Sequence, residues 1–241
     1  MSWTDIKSVE QIKKLRDRFG IRVFVETGTF RGQNAEVHSL NFNTVITIEI
    51  IEEYYLNAMK RLRYYPNVIP ILKDSAEFLK EYTTANIGKI RPTMFFLDAH
   101  FYDPLLSPED RWVILKELRA LEGFKQCVIV IHDFNCNGLG GLVYDEQPLN
   151  FEFVHDALSK VNPNFHYYFN TFEGCEILTK DKLREGKMPP LVLDEQTSDT
   201  LDFVWSKPET IHRAYRGLLY ATPEPLDLKQ FELVDFYELT T

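Results

Sequence analysis

The chain has 241 residues, of which 44% are hydrophobic and 26% charged, with a formal net charge of −9. A chain of this length and composition buries a sizeable core, which excludes large-scale disorder and fits one domain with an appendage better than two domains. The acidic balance argues against nucleic acid or anionic lipid as a partner, because both are bound through clustered Lys and Arg, and no window approaches the roughly 18 apolar residues of a membrane span.

The charged N-terminus, with Asp5, Lys7, Glu10, Lys13, Lys14 and Arg16, lacks a signal-peptide core, so a soluble, cytoplasmic protein is expected. An amphipathic helix around Val9 to Phe19 fills an N-terminal segment of residues 1–20. Short β-rich runs then recur at Arg22–Glu26, Val45–Glu49, Val68–Leu72, Thr93–Asp98 and Val128–His132, each followed by a helical pattern. The second of those helices takes in Glu52 to Arg63. The fourth opens near Pro108, with Glu109 and Asp110 in its first turn, and carries Ile114, Leu115, Leu118 and Leu121 on an apolar face. Strand, helix, strand at this spacing gives βαβ units, and right-handed crossovers build them into an α/β, doubly wound, mostly parallel sheet with ligands beyond the carboxyl ends of its strands. His166–Phe169 and Cys175–Leu178, around Glu173-Gly174, read as an antiparallel hairpin at the sheet edge, which closes a domain of residues 21–180. Residues 181–241, rich in proline and with one short helix about Pro208 to Leu219, read as a C-terminal arm or lid whose aromatic side chains pack on the core or on a second copy in a homo-oligomer. Cys127, Cys136 and Cys175, widely spaced and without a Cys-x-x-Cys, read as buried thiols.

Glu26, Glu49, Asp74, Asp98 and Asp133 fall at or just beyond the ends of the five successive strands and gather carboxylates along one rim. Any one of them could simply cap a helix; five in register point to a ligand. The first loop, Glu26-Thr27-Gly28-Thr29-Phe30-Arg31-Gly32, puts a carboxylate where a dinucleotide fingerprint has its first glycine, and that charge repels a pyrophosphate. An ammonium group is attracted there, Gly28 admits close backbone approach, and the helix N-terminus accepts a carboxylate, so the loop suits an amino-acid zwitterion. Glu49 is placed to take both hydroxyls of a ribose, with Ile50 against the ring system and Asp74 and Ser75 at an adenine amino group. Zwitterion plus ribose describes S-adenosyl-L-methionine, with Glu26, Thr27, Gly28, Thr29, Arg31, Gly32, Glu49, Ile50, Asp74, Ser75 and Asp98 as the residues that would line its site.

Over roughly residues 20 to 180 the chain resembles a class I S-adenosylmethionine-dependent methyltransferase, and "VETGTFRG", "FFLDAHFYD" and "VIVIHDF" resemble the macrocin O-methyltransferase-like and related small-molecule families. The resemblance implies a Rossmann-like methyltransferase fold and methyl transfer to a hydroxyl of a small polyhydroxylated or sugar-containing acceptor, frequently with magnesium. Asp98 and Asp133, with Asn135 or His132 as a further ligand, would hold Mg2+ beside the acceptor, whereas His100 is the candidate base. In the alternative without metal, Asp98 contacts the methionine amino end and His132 is a packed histidine. A binding or structural module that kept this fold and lost the chemistry is the competing class, and intact Glu26, Gly28, Gly32 and Glu49 favour the enzyme.

Overall fold

Valine, isoleucine and phenylalanine dominate the five expected runs, and all five form strands: β1 (Val23–Thr27), β2 (Thr44–Glu49), β3 (Val68–Leu72), β4 (Thr93–Leu97) and β5 (Cys127–Ile131). They pair in parallel in the order β3-β2-β1-β4-β5, so the order reverses beside β1. A computed structural model describes residues 6–88, 92–100, 105, 107, 111–136, 142–144, 146–170 and 217–236. Every residue of β4 and β5 is buried, as expected of central parallel strands covered on both faces. β3 is the outer strand and carries Pro70, which only an edge position tolerates because proline cannot donate to a ladder.

The strands' alternation sorts the core into two layers. Val25, Phe95, Leu97, Ile129 and Ile131 face one way, against α4 (Ser75–Asn86), α5 (Val113–Ala120) and α6 (Phe151–Val161) through Leu79, Leu118 and Leu158. Phe24, Met94, Phe96, Val128 and Val130 face the other, against α1 (Ile6–Phe19), α2 (Gln33–Ser39) and α3 (Glu52–Leu62) through Ile12, Leu15, Ala35 and Leu62. The fold is therefore a doubly wound α/β sandwich. α5 starts later than its sequence predicts: Trp112 is extended and buried against Tyr144 and Phe153, and Pro108 to Asp110 lie outside the described residues.

The far edge of the sheet differs from expectation. β8 (His166–Phe169) pairs antiparallel with β9 (Leu219–Thr222), and β9 pairs antiparallel with β5, so a strand from the stretch read as an arm is inserted into the sheet. The described partners of β8 are β9 and β10 (Val234–Asp235); the expected partner, Cys175–Leu178, lies outside the described residues, as does most of the expected Pro208–Leu219 helix. All four residues of β9 are buried, and an apolar strand in the middle of a sheet is more stable than one on its edge. The short α7 (Leu228–Phe231) follows, and α1 is tied to this end of the chain: Tyr220 donates to Gln11 Oε1 (2.7 Å) and Gln11 Nε2 donates to the Glu232 carbonyl (3.3 Å). A small hairpin, β6 (Val143–Tyr144) and β7 (Gln147–Pro148), lies between β5 and α6. Cys127 and Cys136 are buried free thiols.

His38 is fully buried in the second layer, its ring 4.4 Å from that of Phe24, and neither ring nitrogen has a hydrogen-bond partner. Burial, with the charge of Arg16, pushes its pKa down to about 3 from 6.5. The unfolded chain therefore binds a proton over that window and the folded chain does not, so stability rises with pH between the two values and is lost as pH falls through them. His38→Leu should flatten that slope in chemical denaturation between pH 4 and 7, and should stabilise the fold at neutral pH by about 1 kcal/mol, because two buried polar atoms go with the ring. An unchanged slope would mean that folding does not displace the His38 pKa.

Candidate functional site

The rim over the carboxyl ends of β1, β2, β4 and β5 is organised by backbone packing. Gly28 has φ 80°, and a Cβ there would lie 2.6 Å from the Asp98 carbonyl oxygen, so glycine is needed for the first loop to rest on the end of β4. The sequence reading assigned the glycine to ligand approach; the packing on Asp98 is a further reason for it. Gly32, at φ 74°, opens α2, where a Cβ would crowd Leu62 at 3.1 Å.

The loop's N–H groups turn toward β2. Gly28 and Thr29 donate to the Ile48 carbonyl (2.9 and 3.1 Å), Phe30 donates to Glu49 Oε2 (2.8 Å) and Gly32 to the Thr29 carbonyl (2.8 Å). Glu49 also accepts from the N–H groups of Ile50 and Ile51, both at 3.0 Å, so its carboxylate clamps the loop to the end of β2. A carboxylate has about four acceptor positions, and three are in use. Phe30 sits at φ 48°, its ring edge-on to Tyr54 at 4.9 Å and 5.3 Å from the Arg31 guanidinium carbon; Ile50, after the end of β2, is exposed.

Glu26 does not line the surface as the sequence suggested. It is wholly buried, accepting from Asn34 Nδ2 (2.7 Å) and Thr47 Oγ1 (2.5 Å), because its place in the strand alternation is that of Phe24 and turns it into the second layer. Burial pushes its pKa up to about 8, against those two hydrogen bonds. Thr29 Oγ1 joins the group through Thr47 Oγ1 at 2.6 Å. Asp74 caps α4, accepting from the Glu77 N–H at 2.9 Å.

The acid that sequence reasoning missed is Glu117. It is buried in α5 with its Oε1 lacking a hydrogen-bond partner, and burial pushes its pKa up to about 8, against the opposing influence of the Ser75 and Thr27 hydroxyls. Its signal was present: Glu117 stands three residues after Ile114 and next to Leu118, on a helix face otherwise apolar.

Beside the first loop, Asp98, His100, His132 and Asp133 each offer one atom to a group within 4.8 Å. Asp98 Oδ1 lies 3.1 Å from His132 Nδ1 and 3.3 Å from His100 Nε2, and His132 Nδ1 lies 3.6 Å from Asp133 Oδ1. Asp133 is in the left-handed region at φ 51°, a conformation that side chains other than glycine adopt at a cost. Burial alone would depress the His132 pKa, but the Asp98 and Asp133 carboxylates overcome it and push it up to about 10. Burial likewise opposes the ionisation of Asp98, and the neighbouring imidazoles of His132 and His100 hold it well below the usual carboxylate range. Asn135, read as a further magnesium ligand, is exposed. Magnesium takes oxygen ligands in a near-octahedral set, and half of this four-residue donor set is imidazole nitrogen, so the four together do not fit magnesium.

No protein-family profile matches the chain, and neither does any curated protein. Among solved structures it is similar to a SAM-dependent methyltransferase from Anabaena variabilis, at 14% identity over 88% of this chain and 83% of that one, with a TM-score of 0.46. A SAM-dependent methyltransferase from Archaeoglobus fulgidus is similar at 16% identity over 88% of this chain and 93% of that one, TM-score 0.43. The 23S rRNA methyltransferase ErmE is similar at 16% identity over 55% of this chain and 48% of that one, about half its length, TM-score 0.35. Likeness at these levels concerns the fold class, which the strand order already establishes.

Glu117 makes a test of the buried network. With a folded pKa near 8 against 4.5 unfolded, the folded chain keeps a proton that the unfolded chain releases, so stability falls as pH rises through that window. Glu117→Gln, permanently neutral, should match the parent protein near pH 4.5 and exceed its stability at pH 8 by up to roughly 4 kcal/mol in urea denaturation. An equal loss at both pH values would show that only the shape of the side chain matters.

Proposed function

We propose that the protein is an S-adenosyl-L-methionine-dependent methyltransferase acting on a hydroxyl of a small polyhydroxylated or sugar-containing acceptor. One observation carries the reading: the loop after β1 spends the N–H groups of Gly28, Thr29, Phe30 and Gly32 on β2 and on itself, within a rim of carboxylates. A pyrophosphate needs those N–H donors and is repelled by those acids, whereas a ligand bearing a sulfonium and an ammonium is complemented by them. The rim sits where the strand order reverses, the usual ligand position in a doubly wound sheet.

The residues fit that ligand with defined parts. Glu49, with an acceptor position left and its carboxylate fixed by three N–H groups, would hold ribose hydroxyls. Ile50 and Ile51, exposed at the end of β2, offer an apolar surface to a base, and Asp74 stands at the neighbouring strand end for an exocyclic amino group. Arg31 and Ser75 complete the surround, and the buried Glu26, Thr27 and Thr29, which the sequence placed at the ligand, support the loop from below rather than touching that ligand. Bound there, S-adenosyl-L-methionine supplies an electrophilic methyl group. The acceptor hydroxyl must lie in line with it and give up its proton, and the Asp98–His100–His132–Asp133 group, across Gly28 from the ligand loop, is the part of the rim that can draw that proton away. No step uses magnesium.

Calorimetry tests the cofactor. S-adenosylmethionine and S-adenosylhomocysteine should bind at one site per chain, and NAD should not; the reverse result would retire the reading. Glu49→Gln, which keeps one oxygen and loses the charge, should weaken S-adenosylhomocysteine by about tenfold to a hundredfold, the loss expected for hydrogen bonds to a charged acceptor. Unaltered affinity in a folded Glu49→Gln protein would remove Glu49 from the site.

A further inference from the structure

We propose that Asp98, His100, His132 and Asp133 bind one divalent transition-metal ion of the zinc, cobalt and iron class, and discriminate against magnesium. The inference draws on the proposed methyl transfer only for what the ion would do: acidify the acceptor hydroxyl, with His100 and His132 as ligands rather than bases.

The donor set decides the class of ion. Two imidazoles and two carboxylates suit borderline ions, which imidazole prefers, and not a hard ion that demands oxygens. The spacing agrees. A tetrahedral site with bonds of about 2.0–2.1 Å has ligand atoms about 3.3–3.4 Å apart. The separations from Asp98 Oδ1 to His132 Nδ1 and His100 Nε2, and from His132 Nδ1 to Asp133 Oδ1, are 3.1, 3.3 and 3.6 Å, and all pairs stay within 4.8 Å. A purely structural salt-bridge network should satisfy its members, but His100 Nε2, shielded from water, has a 3.3 Å approach to Asp98 Oδ1 and no well-formed hydrogen bond.

The scaffold is also rigid. The Asp98 N–H donates to Thr27 Oγ1 (3.2 Å), the His132 N–H donates to the Leu97 carbonyl (3.1 Å), and the Asp133 carbonyl accepts from Leu142 (2.8 Å). The side chains of all four are 6–13% exposed, so the ion would be enclosed by protein yet reachable from the rim. Holding Asp133 at φ 51° is a cost that a coordinating carboxylate would offset.

The test uses the full chain stripped with a chelator, and Co2+ as the probe. One Co2+ per chain should be taken up with visible d–d absorption characteristic of a low-coordinate site, Zn2+ should displace it, and a large excess of Mg2+ should not. His100→Ala, in a loop and partly exposed, and His132→Ala should each weaken Co2+ by more than the roughly tenfold to hundredfold that loss of a supporting residue around a metal costs. His155→Ala, on α6 away from the group, should leave Co2+ binding unchanged, and circular dichroism separates misfolded variants from weakened ones. Absence of stoichiometric Co2+ uptake, displacement by Mg2+, or full affinity in folded His100→Ala would each overturn the proposal. S-adenosylhomocysteine titrated into the stripped protein keeps the two readings apart: loss of its binding with Co2+ uptake intact sinks the cofactor reading alone, and the converse sinks the metal site alone.

Discussion

The backbone of Gly28 rests so closely on the carbonyl of Asp98 that no side chain fits between them. This approach fixes the loop after β1 against the end of β4, and the rest of the rim is built from the two pieces it joins. On one side, the loop is left to donate its N–H groups to Ile48 and Glu49, which turns it from a phosphate cradle into a carboxylate-lined surface. On the other, Asp98 is held by Thr27 at the hub of the histidine–aspartate group. The loop and the histidine–aspartate group therefore cannot drift apart, as the proposed in-line transfer, whose acceleration would rest mainly on positioning, requires.

Holding ionisable groups beneath such a rim costs stability. Glu26 and Glu117 are buried acids on opposite faces of the sheet; Asn34 and Thr47 donate to Glu26, and the hydroxyls of Ser75 and Thr27 stand against Glu117. Asn34 and Ser75 lie at the starts of α2 and α4 and Thr27 at the end of β1, so the interior polar groups adjoin the rim. Buried ionisable groups with displaced pKa values gather at functional sites for this reason, although structural networks displace them too. His38 is of a different kind: it packs among phenylalanines far down the second layer, and nothing in the structure gives its imidazole a use.

The end of the sheet shows how far a chain can return. β9 joins the middle of the antiparallel edge from more than forty residues beyond β8, and Tyr220 then reaches Gln11 on α1. Start and end of the described chain are joined across the second layer, so removal of the last segment would expose β5 as well as shorten the protein. Among the described residues, no helix is long and apolar enough to cross a membrane.

The sequence by itself determined the parallel strands, their helices and the positions of the rim residues, because a period of two or of 3.6 in apolar residues is a local property that each segment carries alone. The carboxylates at the ends of β2 and β5 and the histidines beside them were legible for the same reason. Tertiary structure alone decided the rest. Strand parity and packing buried Glu26 instead of presenting it, since the face an edge residue takes depends on its neighbours in the sheet. Convergence of two loops made His100 and His132 companions of the carboxylates, because no sequence spacing reports distance between β4 and β5 ends. The pairing of β9 with β5 and β8 was equally hidden, for an antiparallel strand can come from anywhere along the chain, and only the burial of both its faces selects which segment fills the gap.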